Sequence, residues 1–319
     1  MDNYTQGIPD VDLADFTSGN AKQKAEFVQQ LSDAYKNIGF VAVKNHGVDD
    51  ELIEDLYTQV KCFFELPTDI KQKYEPKDLA GQRGYVSFGR EHAKNKNEGD
   101  LKEFWHFGQY VEDQDPIHEE YPENLYVEEI PRFNMVGKKA YQSLENTGKM
   151  MLRAIALSLD LNETWFDDKI HNGNSILRPI HYPPITEEPK NAVRAGEHED
   201  INLITLLIGA SADGLQVLTK NNEWVNVTAL PGRIVVNVGD MLQRLTNKKL
   251  KSTTHRVINP PKEKWGTSRF SIPFFLHPRS DMKLDCLETC ISEEHPKQFN
   301  DITAGDYLEE RLAEIGLKK

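Results

Sequence analysis

The rhythm of hydrophobic and polar positions changes near residue 174. Before it, apolar residues recur at helical spacing. In NAKQKAEFVQQLSDAYKNIGF they fall at Ala25, Val28, Leu31, Ala34, Tyr35 and Ile38. That spacing predicts an amphipathic helix, with Gly39 just past its end. FVAVKNHGV reads as a strand and turn, and DDELIEDLYTQVKCFFELP as a second helix stopped by Pro67. Gly81 to Gly108 is polar and glycine-bearing, expected as loops and short strands. Asp113 to Asn124 is acidic and contains proline, expected as a surface loop. PRFNMVGKKAYQSLENTGKMMLRAIALSLDL predicts a long helix with Val136, Ala140, Leu144, Met151, Ile155 and Leu159 near one side.

After residue 174 the runs are short, apolar or alternating, and separated by turn signals: ILRPIHYPP, INLITLLIGA, GLQVLTK, EWVNVTAL, RIVVNVGD, STTHRVIN and RFSIPFFLHP. Asn221-Asn222 predicts a hairpin. Such spacing argues for an antiparallel sandwich or barrel. The expected organisation is one domain over 1–319, mixed α and β. It has a helix/strand portion over about 1–173, a β core over about 174–280 and a helical segment over about 281–319. The last helix is expected in TAGDYLEERLAEIGL.

Composition narrows the setting. The chain has 319 residues, 38% hydrophobic and 28% charged, as in a soluble globular protein with ample length for a core. No apolar run is long enough for a bilayer span. MDNYTQGIPDVDLADF lacks an apolar signal region, and three cysteines form no disulfide framework, so the cytoplasm is the expected location. The net charge of −13 argues against nucleic acid and membrane surfaces. A small-molecule ligand remains compatible, since one arginine can dominate a pocket. No obligate protein partner is evident.

Candidate chemistry lies in HEDINLITLL. Alternate strand residues share a face, so His198 and Asp200 can converge while Glu199 points away. STTHRVIN supplies His255. Two histidines and a carboxylate leave open metal positions, a set suited to non-haem Fe(II). With ten histidines in the chain, one such pair is roughly what chance supplies, and His118/Glu120 is another, in a polar loop. A hydrogen-bonded histidine at a strand end is the competing reading. RFSIPFFL adds weight. It places Arg269 and Ser271 on one strand face and Phe270, Ile272 and Phe274 on the other. An inward arginine is costly unless an anion meets it, and arginine plus serine suits a carboxylate. A structural ion pair with one of the 51 acids is the alternative.

His198-x-Asp200, His255 and Arg269-x-Ser271, in that order, resemble the isopenicillin N synthase-like branch of the Fe(II)/2-oxoglutarate-dependent dioxygenases. The resemblance extends over IPDVDLADF, IGFVAVKNHGV, GQRGYVSFG, DLKEFWHFG, LRPIHYPP, GLQVL, EWVNV and VVNVGDMLQRLTN, almost the whole chain. It implies a double-stranded β-helix (jelly roll) core with flanking helices. It also implies Fe(II) on His198, Asp200 and His255, with Arg269 and Ser271 on the distal carboxylate of 2-oxoglutarate and Tyr182 assisting. O2 would be consumed, succinate and CO2 released, and an unactivated C–H bond of a small substrate oxidised. Hydroxylation is the expected outcome, with desaturation or ring closure as branches.

The chain departs from the family's N-x-Y pattern, because Ile180 stands two before Tyr182. Arg178, two earlier again, is a candidate for a carboxylate of cosubstrate or substrate, or a structural arginine. Arg83 and Tyr85 lie in a region that borders the substrate pocket in the family; a solvent-exposed loop arginine is the competing reading. His46 reads as a turn histidine and His106 as core packing near the pocket. His181 and His277 are not expected as ligands, and Asp240 is expected to end a strand. Two alternatives stay open. In isopenicillin N synthase the R-x-S pair holds a substrate carboxylate and no 2-oxoglutarate is used. A catalytically silent carboxylate- or partner-binding module is the other.

Overall fold

The computed structural model describes residues 4–5, 8–79, 81–91, 99–189, 192–209, 213–227 and 231–314. The helices form where the apolar spacing places them. Ala21–Asn37 opens on a reciprocal cap, with Asn20 Oδ1 accepting from Gln23 N at 3.1 Å and Gln23 Oε1 accepting from Asn20 N at 3.1 Å. It buries Phe27, Leu31, Ala34 and Tyr35 and ends before Gly39 at φ +73°. A Cβ there would lie 2.2 Å from the Lys251 carbonyl, so position 39 needs glycine for both conformation and space. Asp50–Phe64 starts on an Asp49 cap and ends before Pro67. The 28-residue helix Pro131–Ser158 is about 42 Å long at 1.5 Å per residue.

The strands are β1 (Tyr4–Thr5), β2 (Ile8–Asp12), β3 (Phe40–Lys44), β4 (Gly84–Val86), β5 (Glu103–His106), β6 (Ile176–Leu177), β7 (Ile180–Tyr182), β8 (Ala195–His198), β9 (Ile204–Ile208), β10 (Leu215–Leu218), β11 (Trp224–Asn226), β12 (Arg233–Val238), β13 (His255–Val257) and β14 (Arg269–Leu276). The major sheet runs β1-β2-β3-β12-β9-β14-β7-β5-β4, with β6 also on β14. The minor sheet runs β11-β10-β13-β8. Pairing is antiparallel except between β2 and β3.

Alternation sorts the major sheet into two faces. Ile204, Leu206, Ile208, Ile234, Val236, Val238, Ile272, Phe274 and Leu276 join the large core under the long helix, with Ala140, Leu144, Met151 and Ile155. Each buried valine, leucine, isoleucine, methionine or phenylalanine among them contributes about 1.5–3 kcal/mol. The opposite face meets the minor sheet through two small clusters. One joins Phe40, Ala42 and Val235 to Leu215, Val217 and Val227; the other joins Ile180 and Tyr182 to Ala195 and Val257. Between these two clusters the facing sheets leave a cavity.

Three expectations need adjusting. ILRPIHYPP is two strands rather than one run, because Pro179 cannot donate to a ladder; β6 and β7 both pair with β14. Asp113–Asn124 is not wholly surface loop, since the 3₁₀ turn Pro116–Glu120 buries Ile117. The last helix is described over Ala304–Glu314, and the end of the expected segment, 315–317, lies outside the described residues, as does the end of EWVNVTAL at 228–230.

Candidate metal centre and cosubstrate pocket

β8 ends at His198 and β13 begins at His255, and the two residues are directly paired across the strands. Their ring centroids lie 4.4 Å apart. Asp200 lies two residues past the end of β8, outside the strand, so the expected strand alternation is not what brings it to His198. Its Oδ1 is 3.9 Å from His198 Nε2 and 3.6 Å from His255 Nε2. One ligand atom from each of the three residues lies within 4.8 Å of the others. Backbone carbonyls set the tautomers. His198 Nδ1 faces Gly196 O at 2.7 Å and His255 Nδ1 faces Thr253 O at 3.1 Å. A carbonyl only accepts, so both Nδ1 atoms carry the proton and both Nε2 lone pairs are free to bind a metal. Desolvation and the neighbouring His255 ring lower the His198 pKa to about 4, against the pull of Asp200, which keeps that imidazole neutral.

Asp200 is oriented by residues the sequence did not single out. Its Oδ2 accepts from Thr205 Oγ1 at 2.7 Å and from Asn237 Nδ2 at 2.8 Å. Asn202 Nδ2 donates in turn to Thr205 Oγ1 at 2.8 Å. With Oδ2 occupied, Oδ1 is the oxygen turned toward the histidines. Burial raises the Asp200 carboxyl, but His255, His198, Asn237 and Thr205 together hold it below its ordinary value. Thr205 and Asn237 oppose each other in the β9–β12 register, and Phe275 opposes Thr205 from β14. A usable signal existed: each is a polar residue at an inward position of an otherwise apolar strand. Two histidine nitrogens and a fixed carboxylate oxygen, with their other polar atoms satisfied, fit Fe(II).

The same cavity, about 500 Å³, extends from the triad to Arg269, Ser271 and Tyr182. Arg269 is 1% exposed. It is paired in register with Tyr182, and its guanidinium carbon sits 4.9 Å from the Tyr182 ring centroid. Ser271 is paired with Ile180, so an apolar side chain occupies the place of the family asparagine. Arg194, not anticipated, is buried nearby. Its Nη2 donates to Thr267 O at 3.1 Å, and burial and the charge of Arg269 lower its pKa to about 10.

The other end of the cavity carries a buried charge network. Arg178 donates from Nε to His106 Nε2 at 2.5 Å, and its Nη1 lies 3.3 Å from Glu91. Its guanidinium carbon lies 4.3 Å from the Phe104 ring centroid and 5.0 Å from that of Phe275. Lys102 Nζ lies 2.6 Å from Glu91 and 2.9 Å from Asp100. Burial opposes ionisation of both partners, yet Arg178 and Lys102 hold Glu91 well below the usual carboxylate range, and Glu91 and Asp100 hold Lys102 above the ordinary lysine value. His106 thus does more than pack.

Arg83 and Tyr85 stand elsewhere. Arg83 is fully buried, donating to Pro122 O, Gln82 O and Gln109 Oε1, so it is neither at the cavity nor in solvent. Tyr85 donates to Glu103, which also accepts from Lys71 at 2.7 Å and faces His181 Nδ1 at 2.7 Å. His181 therefore points away from Tyr182, as alternation requires. His46 Nδ1 accepts from Val48 N at 3.2 Å, a turn contact. Asp240 opens the helix Asp240–Leu245 and accepts from Tyr307.

Residues 8–129 match the family described as non-haem dioxygenase in morphine synthesis N-terminal, and residues 173–278 match the 2OG-Fe(II) oxygenase superfamily. A 2-oxoglutarate-Fe(II) type oxidoreductase of Metarhizium majus is 30% identical over 95% of this chain and 93% of its own. The chain belongs to the 2-oxoglutarate–Fe(II) oxygenase superfamily. Kihadalactone A synthase of Citrus sinensis is 34% identical over 89% of this chain and 87% of its own. Among solved structures, a 2OG-Fe(II) oxygenase family protein from Caulobacter crescentus is 39% identical, covers 98% of this chain and 100% of its own, and superposes with a TM-score of 0.87. A full-length Neurospora crassa protein, solved in complex with α-ketoglutarate and thymine, is 29% identical over 96% of both chains with a TM-score of 0.84. The branch, the jelly-roll fold and a Fe(II)/2-oxoglutarate-dependent oxygenase acting on small molecules with O2 all agree with the expectation. Neither the oxidase without 2-oxoglutarate nor the silent module is favoured.

Proposed function

We propose that His198, Asp200 and His255 hold Fe(II) in this oxygenase and that Arg269 and Ser271, with Tyr182, hold the distal carboxylate of 2-oxoglutarate. The observation that carries the reading is the convergence of three ligand atoms within 4.8 Å in the cavity that also contains the buried Arg269. When bound, the iron and 2-oxoglutarate supply the oxidation: O2, 2-oxoglutarate and R–H give R–OH, succinate and CO2. The chain's own residues bind, orient and exclude water. Arg269 offers a planar donor pair and Ser271 a hydroxyl to one carboxylate, which fixes the direction of the keto acid. Asn237 and Thr205 keep Asp200 presenting one oxygen. The apolar clusters on either side of the cavity keep the reacting carbon from bulk water.

Hydroxylation of a small organic substrate is the outcome proposed, with Arg178 on the substrate side of the cavity. The whole of 1–319 is proposed as one catalytic domain, supported by β3 of the N-terminal portion pairing with β12 of the core. Action in the cytoplasm is proposed on the three cysteines, too few for a disulfide framework, and action without nucleic acid or membrane on the net charge of −13; no obligate protein partner is proposed. No helix among the described residues is long and apolar enough to cross a membrane.

The test is anaerobic titration of the apo-protein with Fe(II) and then 2-oxoglutarate, following the visible charge-transfer absorption of the chelated keto acid. A near-stoichiometric band in wild type, weakened in Arg269→Ala with iron binding retained, is expected. Bound iron without a band would overturn the cosubstrate assignment.

A further inference from the structure

The inward face of β14 continues past the metal level. Arg269 and Ser271 occupy the cosubstrate end, Phe275 lies level with Thr205, and His277 comes next on the same alternation. His277 lines the cavity and is only 7% exposed. Its backbone is committed, with N–H donating to Ser175 Oγ at 3.0 Å and the carbonyl accepting from the same hydroxyl at 3.3 Å. Its ring makes no hydrogen bond to any described residue. An imidazole held more than nine-tenths buried and turned into a cavity is costly unless something polar meets it there. Arg178 lines the same cavity, its guanidinium carbon 5.0 Å from the Phe275 ring centroid.

The charges around this end decide what that polar group is. Two cations, Arg178 and Lys102, face two acids, Glu91 and Asp100, at 2.6–3.3 Å. The set is balanced, so a substrate carboxylate would compete with Glu91 for cations already engaged. Glu199 and Asp240 line the cavity as well, as does the ion pair of Arg311 with Glu314 at 2.9 Å. A substrate ammonium would meet Arg178. A neutral group carrying both a donor and an acceptor violates neither balance.

Resting on the iron and 2-oxoglutarate reading above, we propose that His277 is a positioning residue for the prime substrate. Together with Arg178, which lines the same cavity, it selects an uncharged, hydrogen-bonding substrate of the amide or lactam class over a carboxylate or an amine. Phe275 supplies a flat apolar surface for the body of the substrate. His277 and Arg178 meet its polar edge and set which carbon is turned toward the metal.

The experiment uses the full chain loaded anaerobically with Fe(II) and 2-oxoglutarate. 2-Pyridone and δ-valerolactam are the neutral probes; benzoate and benzylamine are the charged ones. Binding is read as the perturbation of the charge-transfer band and as saturation-transfer NMR. The lactams are expected to bind and the charged probes to bind at least ten-fold more weakly. His277→Phe should weaken lactam binding ten-fold or more with the 2-oxoglutarate titration unchanged, and His277→Gln should recover part of the loss. Preference for benzoate or benzylamine, no lactam binding, or an unchanged lactam Kd in His277→Phe with the band intact would overturn the proposal. Absence of the band in wild type would overturn the parent reading, and this one with it.

Discussion

The cavity is lined by a buried arginine, Arg269, and a partly buried one, Arg178, each packed on aromatic rings, and their surroundings differ. Arg269 is paired with Tyr182, stands two residues from Ser271 and has a second guanidinium, Arg194, close enough to feel its charge. Arg178 is flanked by Phe104 and Phe275, and Glu91 answers its charge while Lys102 leans on the same carboxylate. Like charges gathered at one end favour an incoming dianion. Opposite charges already matched at the other favour a neutral guest. The residue type is identical, so the neighbours set what each arginine is suited to meet.

The largest effect tests the floor that both ends share. Asp200→Ala and His255→Ala each remove one of the proposed ligands and should lower substrate-dependent succinate release by at least about 10³-fold. Iron content of the purified chain should fall in parallel. Retained stoichiometric iron with full turnover in either variant would remove the triad from the mechanism.

Next comes the comparison itself. Arg269→Ala removes the charge-assisted pair of hydrogen bonds proposed for the cosubstrate carboxylate, worth roughly 1.5–3 kcal/mol, so 2-oxoglutarate affinity should drop about 10–10²-fold with iron affinity unchanged. Arg178→Ala should leave 2-oxoglutarate affinity within about three-fold, a change of less than 1 kcal/mol. Its damage should appear instead in substrate binding and in coupling of succinate to product. Equal losses of 2-oxoglutarate affinity in the two variants would erase the distinction between the ends.

A smaller effect probes the support beneath the triad. Asn237→Ala and Thr205→Val each take one donor from Asp200 Oδ2. Iron affinity should weaken about 10-fold to 10²-fold, as for other groups that orient metal ligands. The double variant should exceed either single one, because both donors act on the same oxygen. Isothermal titration with Fe(II) under nitrogen reads both.

The two ends were unequally legible. Arg269 and Ser271 share a face of β14 by alternation, and His198, Asp200 and His255 were legible from residue type and order along the chain, although Asp200 lies past the end of β8 and strand alternation does not bring it to His198. The long helix was equally plain, since its apolar positions recur at helical spacing, although it packs against the helices Ala21–Asn37 and Asp50–Phe64 as well as the major sheet. The substrate end is assembled from pieces distant in sequence: Glu91 and Lys102 from a polar loop region, His106 from β5, Arg178 from the break between β6 and β7, and His277 from beyond β14. No periodicity links them, and only tertiary closure brings them together. Arg83 misled because a buried guanidinium bonded to carbonyl and amide oxygens has the same local sequence as one that greets a ligand. Thr205 and Asn237 were recoverable in principle from their inward register.

The smallest effect sharpens what matched charge does for a buried acid. Glu91 is held low by Arg178 and Lys102, whereas half-buried Glu145, on the long helix, is raised by desolvation to about 7, with Lys149 opposing too weakly to restore it. The folded chain therefore binds the Glu145 proton more tightly than the unfolded chain, whose value is near 4.5. Stability from this group is fully present below the unfolded value, declines as pH rises toward about 7, and stays lost above it. Glu145→Gln removes the titration and keeps the shape. Denaturant unfolding at pH 8 should show the variant more stable than wild type by roughly 1–2 kcal/mol, after allowance for solvent screening, and the curves should converge near pH 4. A constant offset at both pH values would mean that the glutamate acts through packing and not through its charge. The corresponding Glu91→Gln change should destabilise at pH 8, because it leaves Lys102 and Arg178 buried with less negative charge to answer them.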